Sequence, residues 1–438
     1  MAIVSIVALA ALLCSVGADA QWLAALGHVI TTRGAIPRGI PFAAAPTGHW
    51  PNALVLSELV LNYAERLAGD RGLMLAQLLA TATALAFLAR DARARGAQPL
   101  GTSAALLAVG LGALPSLAIA RVQLFSLALF AVLVGLLRAQ SRRPSWRVWL
   151  VVPLIAVWSN LHGAALVGEL VTLAYLLVSR FPRDRWLASC VAVVSAAALC
   201  LTPALLGTID YYQGVLTNDA ARRGEGMWSP LSLSSPIDIA LIVASVFLVA
   251  RAWRARPALW EWCVIVGLAI LTLKASRDGV WLLFFLAAPA AVGITPKRSW
   301  RALVPVITLA SLLAIGFAVV RGPISSGASR ALVADAVSIA RGSPVLASGV
   351  MDEQVALAGG RIWVGNPIDA FSHADQVAYL DWLDGVAAGR RALAAQVRVV
   401  LVSRGSETET LMQATPGFVA VGGDATTALY ERVGKREL

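Results

Sequence analysis

Asp19 is the one acidic residue in the first half of the long loop that follows the first apolar stretch, and Trp22 stands three residues after it. On a continuous helix the two share a face. A carboxylate at a membrane boundary can take a proton from a hydroxyl. Two arginines offer the complementary charge. Arg121 sits between two apolar stretches with almost no loop around it, and Arg277 shares a turn with Lys274 and Asp278. A guanidinium fork pairs with phosphate oxygens, and charges beside membrane spans face protein or water rather than lipid. The alternatives are an Arg277–Asp278 pair, or snorkelling to headgroups. Asn160 and His162 end one apolar stretch, two residues apart. On an unbroken helix they would point about 200° apart. They share a pocket only if the chain breaks, which Gly163 permits; otherwise both cap backbone groups of a tight hairpin. Trp228 closes a segment rich in Asp210, Tyr211, Tyr212, Asn218, Asp219, Arg222, Arg223 and Glu225. That mixture suits a sugar, and equally an interfacial aromatic girdle. His28 and His49 are single loop histidines. No metal-ligand spacing occurs, so no cofactor is assigned, and a divalent metal is left open.

These residues need a scaffold, and composition defines it. The 438 residues are 58% hydrophobic and 14% charged, with a mean hydropathy of +0.74. Apolar runs long enough to cross a hydrocarbon core of about 30 Å recur along the chain. They lie near 2–18, 72–90, 101–119, 122–139, 147–160, 163–180, 187–206, 237–252, 257–275, 279–295 and 302–320. The expected fold is a polytopic α-helical membrane protein of about eleven transmembrane helices.

The net charge of +11 has a topological explanation. Alternate short loops carry Arg90/Arg93/Arg95, Arg138/Arg142/Arg143/Arg147, Arg180/Arg183/Arg185, Arg251/Arg254/Arg256 and Lys297/Arg298/Arg301, which is 16 of the 36 basic residues. By the positive-inside rule these loops are cytoplasmic. The charge is therefore no nucleic-acid footprint, and no nucleic-acid partner is expected. Loops 19–71 and 207–236 and everything after Arg321 then lie outside the cytoplasm. Residues 1–321 form the transmembrane domain and residues 322–438 an extracytoplasmic one. With 10 Lys/Arg and 12 Asp/Glu, that tail has the balance of a soluble domain. Cys14, Cys190, Cys200 and Cys263 all fall in apolar stretches without a CxxC or Cys/His cluster, and are read as buried structural thiols.

The N-terminus admits two readings. Ala18-Asp19-Ala20 has the small-residue pattern of a secretory cleavage site, but residues 1–14 hold no Lys or Arg for a signal peptide's basic region. Residues 1–20 are expected to be retained. Trp22, Leu23, Leu26, Val29 and Ile30 then form a stripe at helical spacing, suited to the outer interface with Trp22 at headgroup depth. A second amphipathic helix carries Leu56, Leu59, Val60, Tyr63 and Leu67 opposite Glu58, Asn62, Glu65 and Arg66.

In the tail, helical segments such as SSGASRALVADAVSIARG, DEQVALAGG, HADQVAYLDWLDGVAAG and SETETLMQATP alternate with strands PVLAS, RIWVG and VRVVLVS and a closing hairpin, FVAVGG with TALYERV. The order predicts a small α/β domain. VRVVLVSRGSETETL lacks GxGxxG and GxxxxGK, so no nucleotide site is assigned. Asn366, Asp369 and Asp375 face an acceptor or serve turns and N-caps.

A membrane helix, an acid at its outer end and two interfacial helices before the second span resemble the opening of GT-C glycosyltransferases. Further stretches resemble a bacterial family of GT-C-like membrane proteins: Asp19, Trp22, Gly27, Gly34, Ile36-Pro37-Arg38, Pro41-Phe42 and Trp50; Trp158-Ser-Asn160-Leu-His162-Gly163; Trp228-Ser229-Pro230; a lone Arg277; and AGGRIWVGNPIDAFSHADQVAYLDWLDG. The resemblance implies a bacterial plasma-membrane enzyme. It would transfer sugar from a polyprenyl-phosphate carrier to an envelope glycan, lipid or protein acceptor on the outer face. Asp19 would be its catalytic base, Arg277 and Arg121 a phosphate clamp, and His162, Asn160, Trp22 and Trp228 its substrate-binding residues. This chain departs from the family at Ile40, at Ala53-Leu54-Val55-Leu56 and at Met227, where the family often has acids. Those departures fit a second class: a non-catalytic GT-C scaffold or lipid-carrier binder in envelope assembly.

Overall fold

The computed structural model describes residues 1–295, 304–393 and 396–433. The expected basic loop Lys297/Arg298/Arg301 falls outside the described residues. The chain divides into two compact units. The first comprises residues 1–15, 68–205 and 224–323; the second comprises 16–67, 206–223 and 324–438. Segments 16–67 and 206–223, grouped by sequence with the transmembrane part, thus cluster with the tail.

The first unit is helical. Each of the eleven apolar stretches contains a helix. Four helices are long and apolar enough alone to cross a membrane: Asp70–Ala94, Leu124–Arg142, Pro236–Arg254 and Val304–Arg321. Ala2–Leu12, Pro99–Gly112, Trp146–Ser159 and Arg185–Ala198 are shorter and apolar. The Gly279–Val292 helix is buried over nearly its whole length and packs against Asp70–Ala94, Pro99–Gly112, Pro236–Arg254 and Leu259–Lys274. Gly279 permits close packing, because a Cβ there would lie 2.5 Å from the Leu241 side chain.

Arg138, counted by sequence among the basic loop residues, is instead buried. It bonds Asp91 at 2.6 Å and Glu261 at 2.9 Å, and its guanidinium lies over Phe285. Arg95 also pairs with Glu261. A buried charge needs such partners, so part of the basic signal is structural. The four cysteines are free, but only Cys14 is buried; Cys190 and Cys263 are exposed on their helices. The reading of all four as buried thiols is corrected.

The second unit contains α1 (Ala20–Arg33), α2 (Val55–Ala68), α3 (Met351–Leu357) and α4 (His373–Leu383) around a four-stranded sheet. Its strands are β1 (Val345–Ala347), β2 (Val399–Ser403), β3 (Phe418–Gly423) and β4 (Thr427–Arg432), in the order β1-β2-β4-β3. β1 pairs with β2 in parallel, and the other pairs are antiparallel. RIWVG is no strand: Ile362 makes only isolated bridges, to Ala43 and Val345. Residues 206–223 are tied to α4 by Asp219–His373 and by Arg223 with Asp381 at 2.9 Å.

Of the two amphipathic helices, α1 differs from expectation. The α1 stripe is covered by protein: Trp22, Leu23 and Leu26 are 3%, 0% and 0% exposed. Helix α2 is turned inside out. Its polar Ser57, Glu58 and Asn62 are buried, whereas Leu56, Val60, Tyr63 and Leu67 are exposed. An outward apolar face is the arrangement a lipid interface favours.

Candidate functional site

In the second unit, Asp19 precedes α1 in a left-handed conformation, with φ of 81°. Asp tolerates this better than most residues. In that conformation its side chain does not cap the helix. The cap comes from Glu353 in the first turn of α3. Its Oε1 accepts the backbone N–H of Asp19 at 2.7 Å, and its Oε2 accepts those of Gln21 at 3.2 Å and Trp22 at 3.3 Å. These N–H groups lack partners within the helix, and a carboxylate there also meets the positive end of the helix dipole.

Asn366 joins the two acids. Its Nδ2 donates to Asp19 Oδ1 at 2.6 Å and to Glu353 Oε1 at 3.0 Å. Two facing carboxyl oxygens fix which end of the amide points inward. Trp22 Nε1 donates to the same Asp19 Oδ1 at 3.4 Å. Among the described residues no hydrogen bond reaches Asp19 Oδ2. Asp352 completes the cluster, accepting the N–H of Glu353 at 2.7 Å and of Asn366 at 2.8 Å. Gly365 makes this approach possible, since a Cβ there would stand 2.0 Å from Asp352 Oδ2. Behind Trp22, Trp50 stacks edge-on at 6.1 Å and donates from Nε1 to Asp369 at 2.9 Å.

Crowding of buried acids alters their affinity for protons. Burial pushes Asp352 up to about 7; N–H bonds from Asn366 and Glu353 oppose this, and Asp19 adds repulsion. Burial, then Asp352 and Asp19, also raises Glu353 well above the usual carboxylate range. Burial lifts Asp369 to about 6 against its bond from Trp50. In α2, burial takes Glu58 to about 8, opposed by the Asn52 amide.

The first unit assembles the other predicted residues. His162 lies in the turn between Val151–Ser159 and Ala165–Tyr175. Its Nδ1 is 2.7 Å from Ser126 Oγ, which accepts Trp158 Nε1 at 2.6 Å. Arg121 and Arg277 both act electrostatically on His162, so the three share one neighbourhood. Arg121 bonds Gln123, and Arg277 lies over the Trp228 ring, 3.6 Å from its centroid. Asn160 is used differently. Its amide donates to the carbonyls of Ala156 and Leu201 at 2.8 and 2.6 Å, the geometry of the capping alternative.

No known family's sequence profile matches the chain, and no curated protein matches it in sequence. Solved structures do match. ArnT from Cupriavidus metallidurans bound to undecaprenyl phosphate aligns over 99% of this chain and 97% of its own, with a TM-score of 0.56 and 13% identity. The apo state of that protein gives 97% and 95%, 0.54 and 14%. The arabinofuranosyltransferase AftD from Mycobacteria aligns over 99% of this chain and 41% of its own, at 0.54 and 14%. The fold is GT-C-like.

Within this GT-C-like fold, Asp19 gains partners that the sequence did not reveal. Glu353 and Asp352 were read only as part of a helix, Trp50 only as a motif residue, and Asn366 as an acceptor-facing or turn residue. The available signal was the Asp352-Glu353 pair opening a short, largely buried helix, because acids so placed need donors. Ile40 and Leu54, two positions at which the sequence departs from the family it resembles, belong to the core, at 3% and 4% exposed.

Proposed function

We propose that the chain is a membrane glycosyltransferase that moves a sugar from a polyprenyl-phosphate carrier to an envelope glycan, lipid or protein acceptor. The observation that carries this reading is the fixed carboxylate of Asp19, held by Asn366 and Trp22 in a chain of GT-C-like fold. Undecaprenyl phosphate in the ArnT structure and the transferase activity in AftD's name belong to those proteins, and they support the choice of substrate class.

In the proposed step, the acceptor oxygen bonds to the anomeric carbon while the bond from that carbon to the phosphate oxygen breaks. The phosphate leaves with the electron pair, and Asp19 takes the acceptor's proton. Arg121 and Arg277 stabilise the leaving phosphate. The Trp158–Ser126–His162 chain orients the imidazole beside them. Trp22 positions Asp19, and Trp228 supports Arg277. The remaining apolar helices complete about eleven crossings of a bacterial plasma membrane, with 1–321 as the membrane domain and 322–438 extracytoplasmic.

The second reading is a non-catalytic scaffold or lipid-carrier binder. The core residues Ile40 and Leu54, at positions where the family often has acids, favour it. Asp19→Asn separates the two. Catalysis predicts product formation reduced about 10²-fold or more at normal protein abundance. Arg277→Lys weakens donor binding, because a point charge replaces a fork. Full complementation of a deletion strain by Asp19→Asn would refute the catalytic reading.

A further inference from the structure

The second unit contains a cleft of about 540 Å³ away from Asp19. Its polar lining is Arg33, Arg66, Arg361, His28, Asn62 and Glu65. The three arginines are exposed, and none of their side chains has a described hydrogen bond or ion pair. Arg33 ends α1, and Arg361 follows α3 by four residues. The negative end of α1 favours a cation at Arg33. Arg66 stands in the last turn of α2, where the same holds, whereas Arg361 lies beyond the last turn of α3 and has no such reason to be there. Three guanidinium groups facing one carboxylate leave the cleft with a surplus of positive charge, arranged as forks suited to phosphate oxygens.

The adjoining surface indicates how the phosphate arrives. Arg66 stands between Tyr63 and Leu67 in sequence, and both are about two-thirds exposed, at 66% and 67%. With Leu56 and Val60 they form the outward apolar face of α2. Apolar side chains beside a cationic cleft match a lipid's acyl chains beside its headgroup. We propose that the cleft binds the phosphate of an anionic lipid headgroup. This site contains none of Asp19, Arg121 and Arg277, and it rests on the membrane setting of the chain rather than on the assignment of Asp19.

The test uses the full chain purified in an uncharged detergent and titrated with dihexanoyl phosphatidylglycerol, dihexanoyl phosphatidylcholine or inorganic phosphate. Calorimetry and native mass spectrometry follow binding. Saturable binding of phosphatidylglycerol is expected, at least tenfold tighter than that of either other probe. R33A/R66A/R361A should weaken it at least tenfold without changing the unfolding temperature. R33K/R66K/R361K should retain a larger share, since charge is kept. If the alanine variant does not fold, salt serves instead: raising it from about 0.05 to 0.5 M should weaken wild-type binding steeply. Absence of saturable phosphatidylglycerol binding, equal affinity for inorganic phosphate, or undiminished binding by the alanine variant would each overturn the proposal. The readout is binding, so failure of the Asp19 assignment leaves it unaffected.

Discussion

Glu353→Gln changes few atoms and places two large effects in opposition. Both carboxyl oxygens of Glu353 accept two donors: Oε1 those of Asp19 and Asn366, Oε2 those of Gln21 and Trp22. Glutamine has one oxygen. Whichever way it turns, its NH2 faces two N–H donors. Leaving two buried donors without acceptors costs roughly 1–3 kcal/mol each. Loss of the negative charge at the start of α1 costs about 0.3–2 kcal/mol more. Against this, burial and the nearby Asp352 and Asp19 disfavour a charged Glu353, so its removal relieves repulsion. All four contacts use Glu353 as an acceptor, and on that count the donors prevail. The expected net loss is about 2 kcal/mol or more, seen as a lower thermal unfolding temperature of the detergent-purified protein. Activity should fall as well, because the α1 cap and Asp19 move together. Wild-type unfolding and wild-type activity in Glu353→Gln would refute the argument: the residue would then already carry a proton, and repulsion rather than capping would set its state.

Stability should decline as pH rises through the neutral range. Asp352 binds its proton more tightly in the folded chain, at about 7 against 3.8, so its contribution is complete below pH about 4 and lost by about 7. Asp369, at about 6, and Glu58, at about 8, act in the same direction; unfolding temperatures measured from pH 4 to 8 should fall, and a rise would contradict the burial argument. For topology, an export-dependent reporter fused after Leu438 should be active and a cytoplasmic one inactive; the reverse result would overturn the proposed arrangement of spans.

The membrane helices were legible because hydropathy is a local property. A run of Leu, Ala and Val declares its solvent without reference to the rest of the chain. Periodicity also located α1 and α2 but could not say what covers each face. Trp22, Leu23 and Leu26 face protein, whereas Tyr63 and Leu67 are exposed, although both stripes have the same period. Lipid and protein core are both apolar, so spacing alone cannot distinguish them. The two helices differ in their polar faces. Glu58 and Asn62 of α2 find partners in Asn52 and Thr31, whereas His28, Thr32 and Arg33 of α1 remain exposed.

The environment of Asp19 was hidden for another reason. Its carboxylate is bound by Asn366, 347 residues away, and its N–H by Glu353, 334 residues away. No local pattern encodes such a contact. Local chemistry does supply the need for it: a helix that starts after a left-handed residue cannot be capped by that residue's side chain, so its N–H groups require an acceptor from elsewhere. An Asp-Glu pair opening a buried helix has the converse need for donors. Each requirement appears in the sequence as an unsatisfied end, and folding satisfies one with the other. The cap and the candidate base are thus parts of one hydrogen-bonded group, in which Asn366 touches both acids. The position of Asp19 therefore depends on tail residues as much as on its own loop.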